Sequence, residues 1–146
     1  MKNRHYIEIA ALVLGLFALC IVHAADELSV SQGWTYNKNN RRRVLASTTI
    51  QYDVAGNAVI ENVQAIGTNA AGEALVLGDV SDPGFAWFHN TSSNDYLEVG
   101  TYDGTNFTAF LKLYAGQRQT CWLATSAPRA ITYTNSVNLD YIIIDR

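Results

Sequence analysis

The sequence predicts an all-β fold: a single antiparallel β-sandwich, jelly-roll-like, of nine to ten short strands, preceded by an N-terminal hydrophobic helical segment. Three observations predict it. Runs rich in Thr, Val, Ile and Tyr alternate between two faces, as a half-buried pleated surface requires. Clusters of Gly, Pro, Asn and Asp separate those runs at regular spacing, and turns select these residues for steric reasons. After Ala25, no segment keeps a helical apolar period over three turns. At 146 residues the chain has room for one domain with a real core and not for two comfortable ones.

Residues 1–25 read as a separate segment and residues 26–146 as the sandwich domain. Lys2 and Arg4 make a short basic start, Ile9 to Val22 is continuously apolar, and His23-Ala24-Ala25 follows. That apolar run makes about 21 Å of helix, short of the ~30 Å hydrocarbon core. The build is that of a secretory signal cleaved after Ala24 or Ala25. An uncleaved anchor lengthened by Tyr6 and Ile7 competes with it, as does a misassigned translation start. Removal would take away two bases and one acid and change the formal charge from −3 to −4. It would also remove Cys20, leaving Cys121 alone and no intrachain disulfide. Cys121 alternates with Leu123 and reads as a buried, inert thiol.

The strands follow in order. Leu28–Tyr36 alternates loosely and, after Asn37-Lys38-Asn39-Asn40, pairs with the long run Val44–Val54 as a hairpin. Ala58–Ile66 alternates with neither face cleanly apolar. Glu73–Leu77 is a short strand ended by Gly78-Asp79. From Asp82 to Gly116 three runs stand close together: Phe85–His89, Tyr96–Tyr102 and Phe107–Tyr114, the last two joined across Asp103-Gly104. The aromatics of this stretch are expected to serve the core. Gln119–Thr125, Ala130–Thr134 and Val137–Ile144 complete the set. The last is apolar on both faces, which suits a central strand or one covered by a partner.

Chemistry is sparse. With His5 and His23 in the leader, His89 is the only histidine of the domain, and a Ser-His-Asp or Cys-His site would have to be built on it. Its alternation with Phe85 and Trp87 reads instead as a strand margin. One histidine and one cysteine do not make a zinc set. Asp79, Asp82, Asp95 and Asp103 lie in turns without the spacing of a calcium loop, and turn chemistry accounts for them. The glutamates Glu61, Glu73 and Glu98 show no pattern of a glycosidase pair. No cofactor is expected. The net negative charge argues against a nucleic-acid partner, and no small-molecule substrate is indicated. Arg41-Arg42-Arg43 is the one charge cluster; it reads as a guarded strand edge, or as a contact for phosphate, an acidic glycan or an acidic neighbour. Trp87, Tyr96 and Tyr102 are the candidates for a sugar site, and Ile142 and Ile144 for an apolar contact face.

From Glu61 to Arg146 the chain resembles a group of small tailed-phage virion proteins. The resemblance rests on Gly78-Asp79-Val80, on Pro83-Gly84 with Phe88 and Asn90, and on Tyr96-Leu97-Glu98-Val99-Gly100. It continues in Phe110-Leu111-Lys112-Leu113 with Ala115-Gly116, and closes on Val137-Asn138-Leu139-Asp140-Tyr141-Ile142-Ile143-Ile144-Asp145. It implies a β-sandwich virion subunit without catalytic residues. The chain departs from the group in its export-like leader and in Gln117, where an acidic residue is commoner.

The expectation from sequence is therefore a non-enzymatic structural subunit of a phage virion, as a decoration, neck or tail accessory protein. Its expected partners are copies of itself or other virion proteins, with a membrane engaged only through residues 1–25 if they stay uncleaved. The alternatives are an exported cell-surface or filament-forming sandwich, secreted or held in the envelope, and a carbohydrate-binding module.

Overall fold

Asn39 and Asn40 both take left-handed backbone, with φ of 51° and 62°. A two-residue hairpin turn whose twist matches its strands needs that conformation at both positions, and asparagine tolerates it better than most residues. The turn joins β1 (Leu28–Lys38) to β2 (Arg41–Tyr52) in an antiparallel ribbon. The computed structural model describes residues 27–146; the helical segment expected over residues 1–25 lies outside the described residues. The structure has two compact units that divide at Asp53/Val54; among the described residues, β1 and β2 pair only with each other.

The second unit, Val54–Arg146, holds the other eight strands: β3 (Val59–Ile66), β4 (Glu73–Ala74), β5 (Pro83–Asn90), β6 (Leu97–Tyr102), β7 (Phe107–Leu113), β8 (Arg118–Trp122), β9 (Arg129–Thr132) and β10 (Val137–Asp145). Their pairing is nested. β6 and β7 form the innermost hairpin, and around it β5 pairs with β8, β4 with β9 and β3 with β10, all antiparallel. Two further pairings, β5 with β10 and β6 with β9, join these into sheets of order β3-β10-β5-β8 and β4-β9-β6-β7. Every connection except β6–β7 therefore passes from one sheet to the other.

One apolar cluster draws on both sheets. β10 contributes Val137, Leu139, Tyr141 and Ile143, and β5 contributes Ala86 and Phe88; Leu97, Val99, Leu113 and Ala130 come from the second sheet. Each is at most 3 % exposed, and burying a side chain of this size contributes about 1.5–3 kcal/mol. β10 lies between β3 and β5, which suits its two apolar faces.

The mixed face of β3 now has its reason. Ile60, Asn62, Gln64 and Ile66 point inward while Val59, Glu61, Val63 and Ala65 are exposed. The Asn62 amide donates to the Tyr141 hydroxyl at 2.9 Å, which lies 3.0 Å from Gln64 Oε1 and 2.9 Å from the Val76 carbonyl. Gln64 in turn donates to the Ala74 carbonyl and accepts from the Val76 N–H. The Gln64 side chain thus serves the backbone of Ala74–Val76 on the edge away from β9. β4 ends at Ala74, short of the Leu77 expected from the sequence; Leu75 N–H still donates to the Pro128 carbonyl, and proline has no N–H to continue the ladder.

Candidate interaction surfaces

The outer face of the first sheet is built by the register of four strands. Ile144 stands opposite Val59 on one side and Phe85 on the other, and Phe85 stands opposite Trp122. One row on, Ile142 stands between Glu61 and Trp87, with Thr120 beyond. Three of the sequence candidates, Trp87, Ile142 and Ile144, are thereby brought onto one face, each half-buried. Val59 and Trp122, at 64 % and 47 % exposed, extend this apolar surface to both edges of the sheet. The third row is polar: Asp140 and His89 face each other, Nδ1 lying 3.7 Å from Oδ2, with Arg118 opposite His89. His89 accordingly sits near the end of β5 beside a carboxylate. Trp122 was legible in advance, since Cys121 and Leu123 flank it on the inward side.

The outer face of the second sheet carries a tyrosine cluster. The Tyr96 ring lies 5.6 Å from Tyr133 and 6.3 Å from Tyr114 between centroids. Lys112 Nζ is 3.6 Å above the Tyr96 ring and 3.4 Å from Glu98 Oε1. The Tyr133 hydroxyl donates to Glu98 Oε2 at 2.7 Å. This hydrogen bond to the carboxylate holds the neutral phenol and pushes the Tyr133 pKa up to about 12. An ultraviolet titration of the phenols should therefore show one tyrosine ionising near that value, and Glu98→Gln should bring it down. A Tyr133 that titrates with the rest in both proteins would contradict the geometry. Glu98, Lys112, Tyr114 and Tyr133 escaped the sequence reading because only pairing across three strands assembles them.

Trp87, Tyr96 and Tyr102 do not meet. Trp87 belongs to the first sheet, and Tyr96 and Tyr102 flank opposite ends of β6, about 20 Å apart at ~3.4 Å per residue. Tyr102 packs under the Arg129 guanidinium at 5.4 Å, and Arg129 is anchored on the carbonyls of Ala71 and Gly72. The core role expected for the aromatics of Asp82–Gly116 holds for Phe88, while Phe85 is buried on the outer face against Trp122 and Phe110 and Tyr114 are 47 % and 58 % exposed. Phe110 is the extra residue of β7 at its register shift, and Tyr114 follows the last residue of that strand. Phe110 and Trp122 instead flank a cleft of about 320 Å³ that also touches Thr101 and Cys121. Burial raises the Cys121 pKa and keeps its thiol protonated.

Arg41, Arg42 and Arg43 open β2, all exposed, and with Tyr36 and Asn40 they rim an open hollow at the tip of the ribbon. Asp103 has partners within its own turn, and Asp95 has partners in the connection between β9 and β10. Asp103 Oδ1 accepts the N–H groups of Thr105 and Asn106 at 2.8 and 2.7 Å, which lowers its pKa. Asp95 is lowered by the Thr134 hydroxyl and then by the Asn135 amide. Among the described residues, no group of three or more His, Cys, Asp or Glu is placed to hold a metal ion.

No family model, curated protein or solved structure matches this chain.

Proposed function

We propose that this chain is a structural subunit of a phage virion, a jelly-roll β-sandwich that works by packing against copies of itself or a neighbouring shell protein. The observation that carries the reading is the outer face of β3-β10-β5-β8. There Trp87, Ile142, Ile144, Val59 and Trp122 stand in adjacent rows where a lone domain gains nothing from them. The nested strand order supports the fold half of the proposal, since a single ribbon wound over itself gives the two Greek keys of a jelly roll, an architecture that recurs in capsid and lectin domains. The resemblance of residues 61–146 to tailed-phage virion proteins supplies the location. In this reading the subunit makes contacts and carries out no chemistry.

The test is the particle. Mass spectrometry of purified virions should find the chain, and Ile142→Asp with Trp87→Ser should remove it from particles while the soluble domain keeps its melting transition. Recovery only from the cell envelope would overturn the reading. A second reading, glycan binding, is favoured by one observation: the exposed rings of Tyr114 and Tyr133 beside the Glu98–Lys112 pair. It requires sugar binding that Tyr114→Ala abolishes.

A further inference from the structure

Across three rows, the outer face of β3-β10-β5-β8 is sorted by strand. On β3 and β10 its residues are aliphatic or acidic: Val59, Val63, Ile142 and Ile144, with Glu61 and Asp140. On β5 and β8 they are aromatic or basic, Thr120 apart: Phe85, Trp87 and Trp122, with His89 and Arg118. The boundary between the two halves runs along the strands, between β10 and β5. The register sets the rows level across it, Ile144 with Phe85, Ile142 with Trp87 and Asp140 with His89.

Asp140 and His89 already hold each other across that boundary, 3.7 Å apart. Glu61 and Arg118 stand on the two outer strands. Three strand spacings of ~4.8 Å and one row of ~6.8 Å put their backbones about 16 Å apart. Among the described residues neither makes an ion pair. A two-fold axis along the boundary lays each half of the face on the other half of a second copy. Aliphatic residues then meet aromatic ones, and acid meets base. An axis across the strands would lay β3 on β3 and β8 on β8, and would keep Glu61 away from Arg118.

We propose that this face pairs with the same face of a second copy about a two-fold axis that runs parallel to the strands, between β10 and β5. The contact is isologous, so each part of it occurs twice. Ile142 packs on Trp87 of the second copy and Ile144 on its Phe85. Arg118 reaches Glu61 of the second copy, and the two Asp140–His89 pairs meet head to tail at the axis. Four strands at ~4.8 Å by three rows at ~6.8 Å bury on the order of 800 Å² over both copies, below the ~1,200 Å² of a stable interface. The pair is therefore reversible alone and holds best where many copies act together. The proposal names the partner of this face and rests on the self-assembly half of the reading above, not on the virion.

Sedimentation velocity of the full chain over a dilution series tests it, with residues 1–53 common to every variant. The natural chain should self-associate, and Ile142→Asp should weaken association at least about tenfold. Glu61→Arg should weaken it about tenfold, and so should Arg118→Glu, because each sets like charges together at both ends of the contact. Mixing the two charge variants should restore the pair, since acid then meets base at both ends. A misfolded chain would not be rescued in this way, so the mixture separates a lost contact from a lost fold. A chain monomeric at every dilution overturns the proposal, as does a mixture that stays apart or association that none of these variants changes. If Ile142→Asp still removes such a chain from particles, the proposed function stands without it. Pairing as stated by a chain absent from virions fails the function alone.

Discussion

Replacing Asn90 with leucine is expected to destabilise the eight-stranded unit by about 3 kcal/mol, a drop of roughly 15 °C in melting temperature. Asn90 ends β5, fully buried. Its amide donates to the carbonyls of Asp95 and Leu113 at 2.8 and 3.0 Å, and its Oδ1 accepts the Ser92 N–H at 2.9 Å. Its backbone is also engaged twice, donating to the Gln117 carbonyl and accepting from the Gly116 N–H. One side chain therefore ties the loop after β5 to the end of β7. Leucine fills the volume and leaves those three polar groups without their partner, and a buried group stranded in this way costs about 1–3 kcal/mol. Asn90→Asp isolates the cause. The new oxygen would face two carbonyl oxygens, so burial and repulsion raise the carboxyl's folded pKa above its unfolded value near ~4. The deficit should be small in acid, where the group is neutral in both states, and should widen as pH rises through the carboxylate range. Urea unfolding across pH measures it; a deficit independent of pH would refute this account.

Gly100→Ala should be comparably severe, at about 3 kcal/mol or more, although the same change at an open site commonly stabilises by ~0.4–1 kcal/mol. A β-carbon at Gly100 would run into the Thr108 carbonyl and lie 2.7 Å from Cζ of Phe107. The obstacle is partly backbone, held by the β6–β7 ladder, and cannot swing aside. The register shifts at this point: Val99 faces Leu111 and Gly100 faces Ala109, which leaves Phe110 as the extra residue of β7. The bulge and the glycine are one device, bringing the two backbones close at β6. Gly104→Ala is the comparison, because nothing lies within 4 Å of its β-carbon position and only its φ of 97° opposes a side chain. It should cost about 1 kcal/mol. Chemical denaturation of both variants decides the point: equal losses would show that backbone angle, not the approach of Thr108, governs Gly100.

Along β7, Leu111 and Leu113 separate from Phe110, Lys112 and Tyr114 in the sequence as they do in space, where Leu113 is 1 % exposed and Phe110 47 %. Ala109 does not follow them: the bulge at Phe110 sets it opposite Gly100, and it is exposed. On β5 the pattern misleads, because Phe85, Trp87 and His89 look like a core face while Ala86, Phe88 and Asn90 are the buried one. Both faces of that strand are apolar, and alternation cannot say which one a second sheet covers. On β3 the difficulty is opposite. Asn62 and Gln64 are polar and inward because Tyr141, 77 and more residues away, offers its hydroxyl there.

The sequence by itself determined the strands, their turns and most of their faces, including the Asn39-Asn40 hairpin and the Asp103 turn. These are local properties, fixed by steric limits on a few residues and by the two-residue period of a pleated chain. The tertiary structure alone decided the nested order of pairing, the meeting of Trp87 with Ile142 and Ile144, the cluster of Tyr96, Tyr114 and Tyr133, and the closeness of Gly100 to Thr108. Each depends on which strand lies beside which, and β3 finds β10 across more than seventy residues. That choice belongs to the burial of one shared core. No single strand carries it in its own residues.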